Sequence, residues 1–422
     1  MTASTIAASP GTDLRTYRVA QAASTFGSTL TATAVSVVAV VGLEAGPHEV
    51  SLIVATATIP PLVLGPAAGV LLDRVRRPRR LMLGADLVAA AAVLYCAAAM
   101  ATGLLTVTGL AALSFVLGLT RVVIEGLYFG HLTTLGVTDI GRARAGLQSA
   151  TMLSRSVGAS IGGPLVATVG AAAMFACDAL TYLISAYCLT RLTAPDRRTT
   201  ECRRGFRREF LDGVRALRGH PLLAALAIYL LAGGAASGGV TALRAVFLLH
   251  EVALPVAVYG IPAVVATLCA AAGALVAPRV HARAVPARRV LSVAVLGAAI
   301  GTTALPLAAG PTPAVLLAAC LGAAVPMFFG AVLNIALVTV VGDGVGDGYF
   351  ARIGALLSTG TTAANMLGVV VGGVLGEYFG ARTGIWVFVT ADLLAALAFL
   401  LIVGRAPTTH DNNTDDPIVE VA

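Results

Sequence analysis

Apolar runs of about twenty residues, each long enough to cross a bilayer as a helix, recur along this chain and are separated by short polar breaks. They fall near residues 19 to 43, 49 to 72, 80 to 103, 107 to 134, 144 to 168 and 170 to 192. After a polar stretch from Thr193 to His220 they resume near 221 to 248, 255 to 278, 289 to 309, 311 to 341, 352 to 377 and 383 to 403. Hydrocarbon offers the backbone no hydrogen-bond partner, so such spans must satisfy their own N–H and C=O groups as helices. Of the 422 residues, 58% are hydrophobic and 12% charged, about half the charge usual in a soluble domain. The sequence therefore predicts an all-α membrane protein with twelve transmembrane helices. It divides into an N-terminal tail 1–18, a first bundle 19–192, a linker 193–220, a second bundle 221–403 and a C-terminal tail 404–422.

A net charge of +7 points toward nucleic acid until the arginines are located. All 28 basic residues are Arg, and without Lys there is no Schiff-base chemistry. If the N-terminus is cytoplasmic, 24 of these 28 fall on the cytoplasmic side: Arg15 and Arg18, five at 74 to 80, Arg142 and Arg144, nine from 191 to 218, four from 279 to 289, Arg352 and Arg405. The positive-inside rule then places both termini in the cytoplasm of a cell-membrane protein, and no nucleic-acid partner is needed to explain the charge. Residues 1–18 show no cleaved signal peptide pattern. Five of the six cysteines lie in apolar spans, Cys202 lies in the linker, and no CxxC pair occurs, which argues against disulfides and a zinc site.

An internal repeat divides the chain. Gly162-Gly163 and Gly170-Ala171 recur as Gly372-Gly373 and Gly380-Ala381, offset by 210 at all four positions. Each set closes a fifth span and opens a sixth, as two pseudo-symmetric six-helix bundles would show.

The most specific motif is Gly65-Pro-Ala-Ala-Gly69-Val-Leu-Leu-Asp73-Arg74-Val-Arg76-Arg77-Pro-Arg79-Arg80-Leu81, between spans two and three. It resembles the signature loop of the major facilitator superfamily. Three further stretches are similar to the branch containing enterobactin exporters and macrolide efflux pumps: Gly118 to Glu125, Gly141-Arg142-Ala143 to Arg155 and Gly162-Gly163, and Gly213-Val214 to His220-Pro221-Leu222. The resemblance runs from about Tyr17 to Val403. It implies a conformational latch in which Gly65 and Gly69 let helix two approach a neighbour, Asp73 pairs with Arg74 or Arg142, and Arg77 belongs to the basic cluster. The alternative is that the cluster only orients the protein. The chain departs from the pattern at Arg76, where Gly is preferred, and at Pro78, where a basic residue is common. The second-half counterpart, Ala277-Pro278-Arg279-Val280, has lost its acid, so only the first-half loop should act as a latch.

Charges inside apolar spans carry most chemical information, because each costs about 2.5 to 3.5 kcal/mol at mid-membrane. Arg121 and Glu125 stand i, i+4 in span four, Arg155 lies midway along span five, Asp178 lies in span six, and Asp86 and Asp392 lie in spans three and twelve. Arg121 occupies a position where the resembling branch usually has an acid. Glu125 reads either as a buried carboxylate that couples protons to substrate or as a permanent partner of Arg121 or Arg155. Asp178 reads first as a helix-packing acceptor and second as a carrier. Asn334 and Asn365 either line a cavity or act as polar glue between helices. The stripe Ser24, Thr25, Ser28, Thr29, Thr31 and Thr33 lines a polar wall or bonds its own backbone.

No Walker loop, HExxH or GxSxG occurs, so the chain is not expected to be an enzyme or to need a cofactor or metal. Coupling must then come from an ion gradient or downhill flow. The expectation is a secondary active transporter: a proton-coupled antiporter exporting a lipophilic or amphipathic drug, antibiotic or siderophore, acting as a monomer in the lipid bilayer. This is an efflux and antibiotic-resistance reading whose direction comes from the resemblance. Its alternatives are an uptake carrier of the same fold, or a sensor or scaffold that moves nothing.

Overall fold

Among the described residues, twelve α-helices form where the apolar runs predict them. The computed structural model describes residues 10–132 apart from 74 and 76, then 140–192, 221–282, 286–344 and 347–405. The helices are α1 Pro10–Val37, α2 Pro47–Asp73, α3 Pro78–Ala101, α4 Val107–Leu132, α5 Ile140–Val169, α6 Ala171–Arg191, α7 Pro221–Val246, α8 Ile261–Ala282, α9 Ala287–Thr302, α10 Thr312–Gly344, α11 Asp347–Phe379 and α12 Ala381–Arg405. No strand occurs among the described residues. Ten of these helices are long and apolar enough to cross a membrane on their own composition. The exceptions are α9, with 16 residues, and α5, whose run is interrupted by Gln148 and Arg155.

Some boundaries move. α1 begins nine residues before the expected span, with Asp13 in the first turn, where the helix dipole favours a carboxylate. The run expected to open helix eight at 255 is instead a short 3-10 turn, Val256–Val258, preceded by Pro255. α8 starts at Ile261 with Pro262 near its first position, where a missing N–H does no harm. α9 ends at Thr302, short of the expected 309, and residues 303–307 form turns around Pro306. The linker 193–220 and both tails beyond 10 and 405 lie outside the described residues.

The repeat is written in the backbone more clearly than in the side chains. α1 runs into a π-helical turn at Val38–Gly42 and α7 into one at Phe247–Glu251, each followed by a non-glycine residue at positive φ, Glu44 at 52° and Ala253 at 49°. Gly170 and Gly380, the N-caps of α6 and α12, adopt φ 81° and 83°, a region open to glycine at no steric cost. Gly103 and Gly310, at the α3–α4 and α9–α10 connections, have φ 71° and 92°.

The chain forms two compact units. In the first, which holds α1 to α6 and also residues Ala242–Val264, α1 packs on α5 and α6, α2 on α4, and α3 on α4 and α6. A Cβ on Gly158 would lie 3.0 Å from the Phe26 carbonyl oxygen, and one on Gly162 3.0 Å from Thr33 Oγ1. Missing side chains thus set the α1–α5 approach. In the second unit, α9 packs on α10 and α12, and α11 on α12. The residues 210 later, Gly368 and Gly372, press in the same way on Ala235 and Gly239 of α7. That extends the sequence repeat to a packing contact.

Candidate functional site

α4 presents Arg121 and Glu125 on one exposed face. Arg121 Nε donates to Glu125 Oε1 at 2.8 Å, and their side chains are 60% and 62% exposed. The pair forms at the predicted spacing, but the expected burial of Glu125 is not found. Arg155, at the middle of α5 and also exposed, lies within electrostatic reach of both. Three formal charges inside spans and open at their surface require water beside them, since lipid tails would exact the mid-membrane penalty.

Asp178 is fully buried and fully engaged. Thr31 Oγ1 donates to its Oδ2 at 2.5 Å and Thr181 Oγ1 to its Oδ1 at 3.1 Å. Gly27 on α1 makes room for this contact, because a Cβ there would overlap the carboxylate and Thr181. The α1–α3–α6 interface continues with Ser28 sharing a 2.9 Å hydrogen bond with the Tyr182 hydroxyl, and Ser185 donating to Asp86 Oδ2 at 2.7 Å. Asp86, only 2% exposed, thus belongs to a packed interface. The polar stripe of α1 divides between its two readings. Ser28, Thr29 and Thr33 donate to the carbonyls of Ser24, Thr25 and Thr29, while Thr31 reaches across to α6.

In the second unit the two asparagines separate. Asn365 Nδ2 donates to the Gly234 carbonyl at 3.3 Å and joins α11 to α7, whereas Asn334 is exposed on α10.

The latch residues are described in part. The side chains of Asp73 and Arg142, and Arg74 altogether, lie outside the described residues. Gly69 sits within α2, and Arg77 is exposed at the N-cap of α3. A Cβ on Gly65 would meet nothing among the described residues. α2 and α4 close on Gly118, where a Cβ would overlap the Ala57 carbonyl, and Gly126, where one would overlap Leu72. The sequence reading also missed Arg79. Its guanidinium donates to the carbonyls of Leu192 and Thr190 at 2.5 Å each, satisfying the otherwise open end of α6.

A family model described as Major Facilitator Superfamily matches residues 19–343 and 240–418. The chain belongs to the major facilitator superfamily. Solved structures agree on the fold. The nucleoside transporter NupG is similar at TM-score 0.70 and 14% identity, over 93% of this chain and 98% of that one. A bacterial homologue of the iron transporter ferroportin, in an inward-facing state, is similar at 0.71 and 14%, over 93% and 99%. A bacterial homologue of the human lysosomal transporter Spinster gives 0.70 and 14%, over 94% and 97%. No curated protein matches the chain. As a major facilitator, this chain is a multi-pass membrane protein with a carrier fold, and among the described residues no group of His, Cys, Asp and Glu could hold a metal ion.

Proposed function

We propose that this major facilitator is a proton-driven exporter of lipophilic or amphipathic small molecules, working by alternating access. The supporting observation is the open ion pair of Arg121 and Glu125 with Arg155 nearby. A carboxylate open at its surface inside a span, with two arginines beside it, is an arrangement that proton coupling can use. Few aromatic residues, 5% of the chain, and abundant Ala, Gly and Val suit a bulky apolar cargo. Export rather than uptake rests on the resemblance of Gly118–Glu125, Gly141–Arg155 and the Gly213–Leu222 stretch to the enterobactin and macrolide exporters. Cells carrying the gene should tolerate higher concentrations of lipophilic antibiotics and dyes than cells without it and accumulate less dye. Equal tolerance and equal dye content across such a panel would remove the export reading.

In this proposal both termini are cytoplasmic. Single cysteines at Gly46 and Thr200, in a background free of native cysteines, should react with an impermeant maleimide from opposite sides. Reaction of both from one side overturns the topology. The loop from Gly65 to Leu81 biases the conformational equilibrium, so Asp73→Asn should slow transport while expression stays near wild type. Unchanged flux in that variant removes the latch.

A further inference from the structure

Asp392 is an intramembrane carboxylate that the proposed mechanism does not use. It lies near the middle of α12, is 5% exposed, and its Oδ1 is buried with no hydrogen-bond partner among the described residues. We propose that Asp392 is a proton-binding site of the second unit, neutral while α12 is closed on α7 and emptied when that contact opens to water. It rests on the proton-coupled reading above and adds a second site to it.

The surroundings support the neutral form. Opposite Oδ1 stands Gly233 of α7, where a Cβ would lie 3.4 Å away. Val389 and Ala396, one turn to either side on α12, are buried and apolar. Tyr229, a turn before Gly233, is in electrostatic contact with Asp392, but its hydroxyl is directed to the Val295 carbonyl of α9. α12 also packs on α9 and α11. The charged residues of those helices fall toward their ends: Arg288 and Arg289 at the start of α9, Asp347 and Arg352 early in α11, and Glu377 at its close. On α7 the charge is Arg244, in the last turn, and on α12 itself Arg382 and Arg405 stand at the two ends. No described cation faces Asp392, so an ionised carboxylate would be both buried and unpaired, whereas a carboxylic acid is merely polar.

Comparison within the chain sharpens the point. Asp178 and Asp86 each accept hydroxyl hydrogen bonds. The residue 210 before Asp392 is Tyr182, whose hydroxyl is paired with Ser28. The first unit thus fills this position with a satisfied phenol, and the second with an acid whose Oδ1 has no donor among the described residues. The α7 side of the contact is Gly233, which brings no side chain to hold the two helices together there.

Infrared difference spectroscopy on the reconstituted full chain tests the site without a cargo. On raising the pH, wild type should lose a protonated-carboxyl C=O band that Asp392→Asn lacks, while Asp392→Glu retains a shifted band. Because asparagine replaces one neutral group by another, Asp392→Asn should melt close to wild type. Identical difference bands in wild type and Asp392→Asn overturn the proposal. So does a large drop in melting temperature for Asp392→Asn that Asp392→Glu does not share, since that would reveal an ionised carboxylate with a partner. Absence of gradient-driven flux in wild type with the Asp392 band present would instead count against the proposed function and leave this site standing.

Discussion

Glu125→Gln is expected to abolish gradient-driven accumulation of cargo while leaving exchange of labelled for unlabelled cargo in place. The amide mimics a protonated carboxyl but can neither release nor take up a proton, so the carrier can cycle without coupling. Had Glu125 been buried, the variant would have left an unpaired cation at about 3 to 5 kcal/mol, and misfolding would have masked the result. With side chains 60% and 62% exposed, the pair contributes no more than about 1 kcal/mol. The variant should therefore express and melt within a few degrees of wild type. Removing Arg121 as well relieves the unpaired charge and cannot restore proton carriage. Full gradient-driven export in Arg121→Gln, Glu125→Gln would move the coupling role to Asp392, Asp178 or Asp86.

Gly238→Val is expected to destabilise the protein by at least the ~3 kcal/mol at the upper end of overpacking effects. A Cβ at Gly238 would overlap the backbone carbonyl of Asn365, and across the same seam a Cβ at Gly368 would overlap that of Ala235. Backbone cannot swing aside like the tip of a side chain, so α7 and α11 must separate and lose the contacts that flank the Asn365–Gly234 hydrogen bond. Gly84→Ala on α3 is the control, since its Cβ meets nothing among the described residues and alanine suits a helix better than glycine. Thermal unfolding in detergent should show a large loss for the first and none for the second. Equal melting of Gly238→Val and wild type would mean that the α7–α11 contact is not what holds the second unit.

The membrane class, the helix count and the twofold repeat were legible because hydrocarbon imposes a length and a composition that the sequence must carry openly. The pairing of Arg121 with Glu125 was legible because i, i+4 spacing sets it within one helix. The exposure of that pair was not, since which face of α4 meets a neighbour depends on packing against α2 and α3. The equivalence of Val38–Gly42 and Phe247–Glu251 was invisible because the two π-turns share geometry but not residue type. Arg79 was hidden in a run of arginines whose topology signal gave no hint that one of them ends α6. Asp392 stood in the sequence as one acid among several, and only the donors around Asp178 and Asp86 made the lack of one at Asp392 meaningful.

Proton-driven export is tested most directly in inside-out membrane vesicles loaded with the chain and given ethidium as a lipophilic probe. Acidifying the lumen should drive ethidium inward, a protonophore should release it, and Glu125→Gln vesicles should show neither effect. Ethidium movement that is indifferent to the proton gradient, or that runs out of an acidified lumen, would contradict the account.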